Sequence, residues 1–140
     1  MGGIGPVRAG MTVEQVLPLA DWSGFERRRR AESCWYLRYD GPQEFRLMII
    51  DNHVVRIEIT GKSTLHTFAG AAIGTTEEEL HRLYGGRLDD QPHKYDAQGR
   101  ALTLKSGGGD FGLRFETSRG RVTAIQGGPS EHLNYVEGCS

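Results

Sequence analysis

Apolar and polar positions alternate with a period of two along several short stretches, which is the signature of half-buried strands. In the first half these are "SCWYLRY" (33–39), "EFRLMII" (44–50) and "VVRIEIT" (54–60). Turn residues separate them, Gly41–Pro42 and then Asp51–Asn52. In the second half, "RALTLK" (100–105), "FGLRFET" (111–117) and "RVTAIQ" (121–126) follow the same rhythm, with turns at "SGGGD" and "SRG". Two other stretches keep a helical period instead. Val16 and Leu19, and later Leu80 and Leu83, stand three apart as short apolar stripes.

Both stripes follow the same phrase. Residues 9–16 read "AGMTVEQV" and residues 72–80 read "AIGTTEEEL". Thr12 with Gln15, and Thr76 with Glu79, fit the capping box, in which a threonine oxygen takes one free amide and the residue three on reaches back. Pro18 cannot donate to the carbonyl of Glu14, so the first helix is predicted to kink or stay short. The second meets a good stop at Gly85–Gly86. Leu47 and Leu113, Ile49 and Phe115, Val54 and Val122, and Ile57 and Ile125 then correspond. The pattern predicts an α+β fold of two tandem repeats, 3–66 and 67–139, within one compact unit. Each repeat would be a short capped helix followed by three to four antiparallel strands, with the two sheets adjacent or continuous. A repeat of about 65 residues has a small core and needs its neighbour.

Composition narrows the functional classes. Seventeen Lys and Arg against eighteen Asp and Glu leave a formal charge of -1. That balance does not advertise nucleic acid or an anionic membrane as partner. No run of apolar residues is long enough for a transmembrane helix. The opening "MGGIGP" carries neither a charged nor an apolar leader region, and Pro6 breaks the myristoylation pattern. Cys34 and Cys139 are the two cysteines, too few for an all-thiolate zinc site. In a reducing compartment they would stay thiols; in an exported chain they would bond. Such a bond would close a loop of roughly 105 residues, worth up to ~4–5 kcal/mol on chain entropy.

Candidate chemistry is thinly spread. "TGKST" (60–64) ends like a phosphate-binding loop, but Arg56 occupies the position of the required first glycine, so it reads as a strand end and linker. "ERRRR" places Arg27, Arg28, Arg29 and Arg30 together, either a solvated loop or a contact for an acidic face. "PHKY" puts the imidazole of His93, the ammonium of Lys94 and the phenol of Tyr95 side by side after a rigid Pro92. Trp35, Leu37 and Tyr39 share one strand face, and Cys34 and Tyr36 the other. Trp35 and Tyr36 are therefore either core or hot-spot residues of a binding face. His53, His66, His81, His93 and His132 show no metal-ligand spacing, and no nucleophile-elbow motif occurs.

The paired helix starts, each feeding antiparallel strands, resemble the tandem fold of β-lactamase inhibitor proteins, whose single unit also occurs in small outer-membrane lipoproteins of the barrel-assembly type. "CWYL", "PHKY" and "YVEGC" are similar to motifs of a group of bacterial envelope proteins with this fold, over Gly3 to Cys139. The resemblance implies export to the periplasm or beyond after removal of a leader, a Cys34–Cys139 disulfide, and protein binding without cofactor, metal or turnover. The leading expectation is an inhibitor- or immunity-type module that occludes a protein partner, with Arg27–Arg30, Trp35, Tyr36, His93, Lys94 and Tyr95 as its binding residues. The partner would be an enzyme, a toxin or an envelope component. One alternative is an accessory protein of outer-membrane or cell-wall assembly. Another is a small-ligand or glycan-binding module or hydrolase around His93; a buried His93 with both nitrogens satisfied argues against it.

Overall fold

The structure is a computed structural model that describes residues 3–4, 6–27, 34–41, 43–105 and 108–133; the side chains of 3–4 and 25–27 are not among them. Ten strands run in order: β1 (Gly3–Ile4), β2 (Val7–Arg8), β3 (Gly24–Arg27), β4 (Cys34–Tyr39), β5 (Phe45–Ile50), β6 (His53–Thr60), β7 (Asp89–Pro92), β8 (Gly99–Lys105), β9 (Phe111–Ser118) and β10 (Arg121–Pro129). The helices are α1 (Val13–Val16) and α2 (Glu77–Tyr84). Strands β1 and β2 form a small hairpin. The other eight make one antiparallel sheet, ordered β3-β4-β5-β6-β10-β9-β8-β7.

This overturns the α+β expectation of two tandem helix-plus-sheet repeats. The molecule is close to all-β, with helices of only four and eight residues against one eight-stranded sheet. The first helix start shows one physical cause: Pro18 ends α1 after one turn, and Leu17–Leu19 continue only as a 3-10 turn. Strands β6 and β10 pair along Ile57–Thr60 and Ala124–Gly127, so hydrogen bonding runs through the centre without a break, the continuous one of the two sheet arrangements expected.

The local signals at the helix ends are present. Thr12 Oγ1 accepts from Gln15 N–H at 3.3 Å, and Gln15 Oε1 accepts from Thr12 N–H at 2.9 Å. Thr76 Oγ1 accepts from Glu79 N–H at 3.1 Å, while the Glu79 carboxylate turns to Arg82. Helix α2 ends at Gly85, whose φ of 61° favours glycine. The β5–β6 and β9–β10 hairpins close through two-residue turns, with positive φ at Asp51 and Asn52 and at Arg119 and Gly120.

The apolar face of the sheet carries the core. Leu37, Leu47, Ile49, Val54 and Ile57 pack on Val13 and Val16 of α1. Ile59, Leu102, Leu104, Phe115, Val122 and Ile125 pack on Leu80 and Tyr84 of α2. Val54 and Ile57 are three apart, yet both reach this face because Val55 is an extra residue on β6, a bulge opposite Met48 and Ile49 of β5. A second register shift, between Val122 and Ala124, does the same for Val122 and Ile125.

Candidate functional site

The "PHKY" stretch lies at the end of β7, an edge strand, and opens the turn into β8. His93 N–H donates to Gly99 C=O at 3.0 Å, closing the turn. Inside it, His93 Nδ1 accepts from the N–H groups of Tyr95 at 3.1 Å and Asp96 at 3.2 Å. Two donors aimed at Nδ1 place the ring proton on Nε2. Nε2 faces Glu116 Oε1 at 2.8 Å, with both side chains about 85% buried. The imidazole thus spends both nitrogens on structure. Asp96 completes the turn: its carboxylate accepts from Gln98 N–H at 2.9 Å. Hydrogen bonding from Ser118 first, and from Gln98 N–H second, holds the Asp96 carboxyl below the usual carboxylate range. Gly99 is required here because a Cβ would collide with Thr117 C=O.

A second turn is fastened to the first. Arg119 N–H donates to Gln98 C=O at 3.0 Å, and Arg119 Nε donates to Gln98 Oε1 at 2.8 Å. This tip presents Lys94 and Tyr95 outward. Tyr95 is 58% exposed, and the Lys94 ammonium sits 5.3 Å from its ring centroid. Such an arrangement can offer an amphipathic anchor to a surface, but it leaves His93 no nitrogen for proton transfer.

Behind Glu116 lies a row of charged groups on the face of the sheet opposite the helices. Arg46 Nε donates to Glu58 Oε1 at 2.6 Å, and Arg56 pairs with the other oxygen of the same carboxylate. Gln126 Nε2 donates to Glu116 Oε2 at 2.8 Å, and Arg114 Nη2 stands 3.7 Å from Glu116 Oε1. Arg56, Glu58, Arg114 and Gln126 are all buried. Burial above all, with the nearby charge of Arg56, pushes the Arg114 guanidinium down from its ordinary value. The turn Ser130–Leu133 covers this row. Arg56 Nη1 donates to His132 C=O at 3.1 Å, and Arg114 Nη1 to Leu133 C=O at 3.2 Å. Leu133 is buried.

The remaining expected site residues scatter. Arg27 ends β3 opposite Trp35, while Arg28, Arg29 and Arg30 lie outside the described residues. Trp35 is half-buried against the apolar core. Tyr36 is 2% exposed, with the Arg46 guanidinium 3.9 Å from its ring centroid. It is thus not open to a partner in this state. Cys34 is buried beside Tyr36 and Met48, and no cysteine among the described residues is free; Cys139 lies outside them. Among the described residues no cluster of three or more His, Cys, Asp or Glu is placed to hold a metal ion, and no helix is long and apolar enough to cross a membrane.

Sequence reading missed the charged row and two exposed aromatics, Phe68 and Phe111. Alternation in "VVRIEIT" marks Arg56 and Glu58 as facing away from the core, but nothing local says that a distant segment covers them. Phe68 sits in an aperiodic stretch where an aromatic residue carries no signal of exposure.

No family model matches this chain, and no curated protein matches it. Among solved structures, a cysteine-rich secretory protein of Staphylococcus aureus is similar in fold, with a TM-score of 0.51 and 10% sequence identity. The likeness covers 92% of this chain and 46% of that one, so the chain spans less than half the length of its structural neighbour.

Proposed function

We propose that this chain is an exported protein-binding module that acts by occlusion, docking through the His93–Tyr95 tip and the arginines of 27–30. The observation that carries the reading is the use made of His93. A histidine next to a lysine and a tyrosine would be a candidate general base, yet its ring is committed to two backbone N–H groups and Glu116. The turn it builds holds Tyr95 outward at little cost in ordering entropy, which suits an interface anchor. The same reading includes a Cys34–Cys139 disulfide, which fits an oxidising compartment. The neighbour's description as a secretory protein supports export without bearing on partner or activity.

The test is capture and titration. Oxidised protein is used as bait against envelope and secreted fractions, and each retained protein is purified and titrated against wild type, Tyr95→Ala and a variant with Arg27 to Arg30 changed to Ala. A single stoichiometric partner whose affinity falls about tenfold or more with Tyr95→Ala supports the reading. Capture of outer-membrane assembly components alone would favour the accessory role. No retained protein at low or moderate salt would overturn protein binding.

A further inference from the structure

The connection from β6 to α2 carries a second feature outside the His93 tip. Phe68 has a relative exposure of 109%, so nothing among the described residues shields its ring. The turn that bears it is firmly built. Thr67 N–H donates to Ala71 C=O at 2.8 Å, and Gly70 N–H to Thr67 C=O at 2.9 Å. Ala71 N–H donates to Thr67 Oγ1 at 3.1 Å, and that oxygen also meets Tyr84 Oη of α2 at 2.7 Å. His66 and Ala72 bridge across the base, and Ala71 is fully buried in the core. The tip residues Ala69 and Gly70 are exposed and small, and Gly70 has a φ of 103°.

We infer that Phe68 is an anchor residue that inserts into an apolar pocket on a partner protein. The class of partner rests on the protein-binding reading above, but the surface is different and lies on the helix side of the sheet. The shape favours a protein over the other occupants. A lone ring standing clear of small neighbours matches a concave pocket. A two-fold pairing of the tips would bury little more than two rings, far short of the area of about 1,000 Å² that a specific interface needs. A bilayer surface would gain one ring and no cluster of basic residues, since Lys62 and His66 are the only cationic or titratable groups in 61–70. The rigid turn means that docking does not first have to order the loop.

The experiment places a photoreactive benzoylphenylalanine at position 68 of the full chain. It is irradiated alone, with vesicles of phosphatidylethanolamine and phosphatidylglycerol, and with envelope and secreted fractions. The cross-linked protein is then purified and titrated against wild type, Phe68→Ser and Tyr95→Ala. The expected result is a one-to-one complex weakened about 30-fold or more by Phe68→Ser, the equivalent of burying one phenyl ring, with thermal stability unchanged. A cross-link only to a second copy, only to lipid, or to nothing overturns the inference. So does equal affinity of wild type and Phe68→Ser. If Tyr95→Ala weakens the complex while Phe68→Ser does not, the anchor fails and the protein-binding reading stands. If neither does, the Phe68 anchor and the Tyr95 docking surface both fail.

Discussion

His93 and Tyr95 are two residues apart, and one is turned inward so that the other can face out. Their substitutions should therefore separate cleanly. His93→Ala removes the acceptor of two backbone N–H groups and a partner of a mostly buried carboxylate. A loss of about 1–3 kcal/mol is expected in chemical denaturation. Tyr95→Ala should stay within ~0.5 kcal/mol of wild type, because its ring is mostly in water already. Equal losses for the two would mean that the ring holds the tip as much as the imidazole does. Asp96 adds a pH dependence to the same turn. Its folded pKa lies below the ordinary value, so its contribution is full above the usual carboxylate range and fades as pH falls through the folded value. Amide exchange at Gln98, corrected for its intrinsic pH dependence, should lose protection as the solution is acidified. In Asp96→Asn that acid limb should vanish, with protection lower than wild type at neutral pH.

At the scale of elements, what could be read from the chain was the part governed by near neighbours. The capping threonines, the stop at Gly85, the two-residue turn at Asp51–Asn52 and the alternation of β4, β5 and β9 all follow from a few adjacent residues. The edge strands were not legible. "DDQP" has poor strand propensity and becomes β7 only because β8 offers it a free row of hydrogen-bonding groups. Nor was the burial of Arg56 and Arg114, which depends on a turn 76 residues further on for one and 19 for the other. The expected site shows the same divide. His93, Lys94 and Tyr95 stay together because they are consecutive, whereas Trp35 and Tyr36 pack into the two opposite faces of the sheet on β4. The covering turn sits on Gly112, where a Cβ would come within 2.6 Å of Leu104 C=O and 2.9 Å of Leu133 Cδ1. Gly112→Ala should displace that turn and cost about 1–3 kcal/mol, the range for overpacking. If melting is unchanged, the turn does not seal the charged row. Thr76→Ala, by contrast, should cost only about 1 kcal/mol, through the lost cap of α2.

For the whole molecule, the decisive contact is the central pairing of β6 with β10, which makes one sheet from strands at both ends of the sequence. A crosslink between Cys34 and Cys139 would act over the same span. Cys139→Ser should then lower stability by up to ~4 kcal/mol under oxidising conditions, and added reductant should bring wild type down to the same midpoint. Wild type unaffected by reductant would dispose of the disulfide.

The same central seam sets an order on synthesis. A chain emerging from its amino end completes β3 to β6 while β10 is still unmade, leaving the inner edge of β6 with an unpaired row of backbone groups. Its neighbours there are Ile57 and Ile59, an apolar strand of the kind that recruits other chains. Only the last complete strand of the sheet, arriving some sixty residues later, covers that edge. A nascent or truncated chain ending before Arg121 should for this reason aggregate or need a holding factor, even though it contains seven of the eight strands.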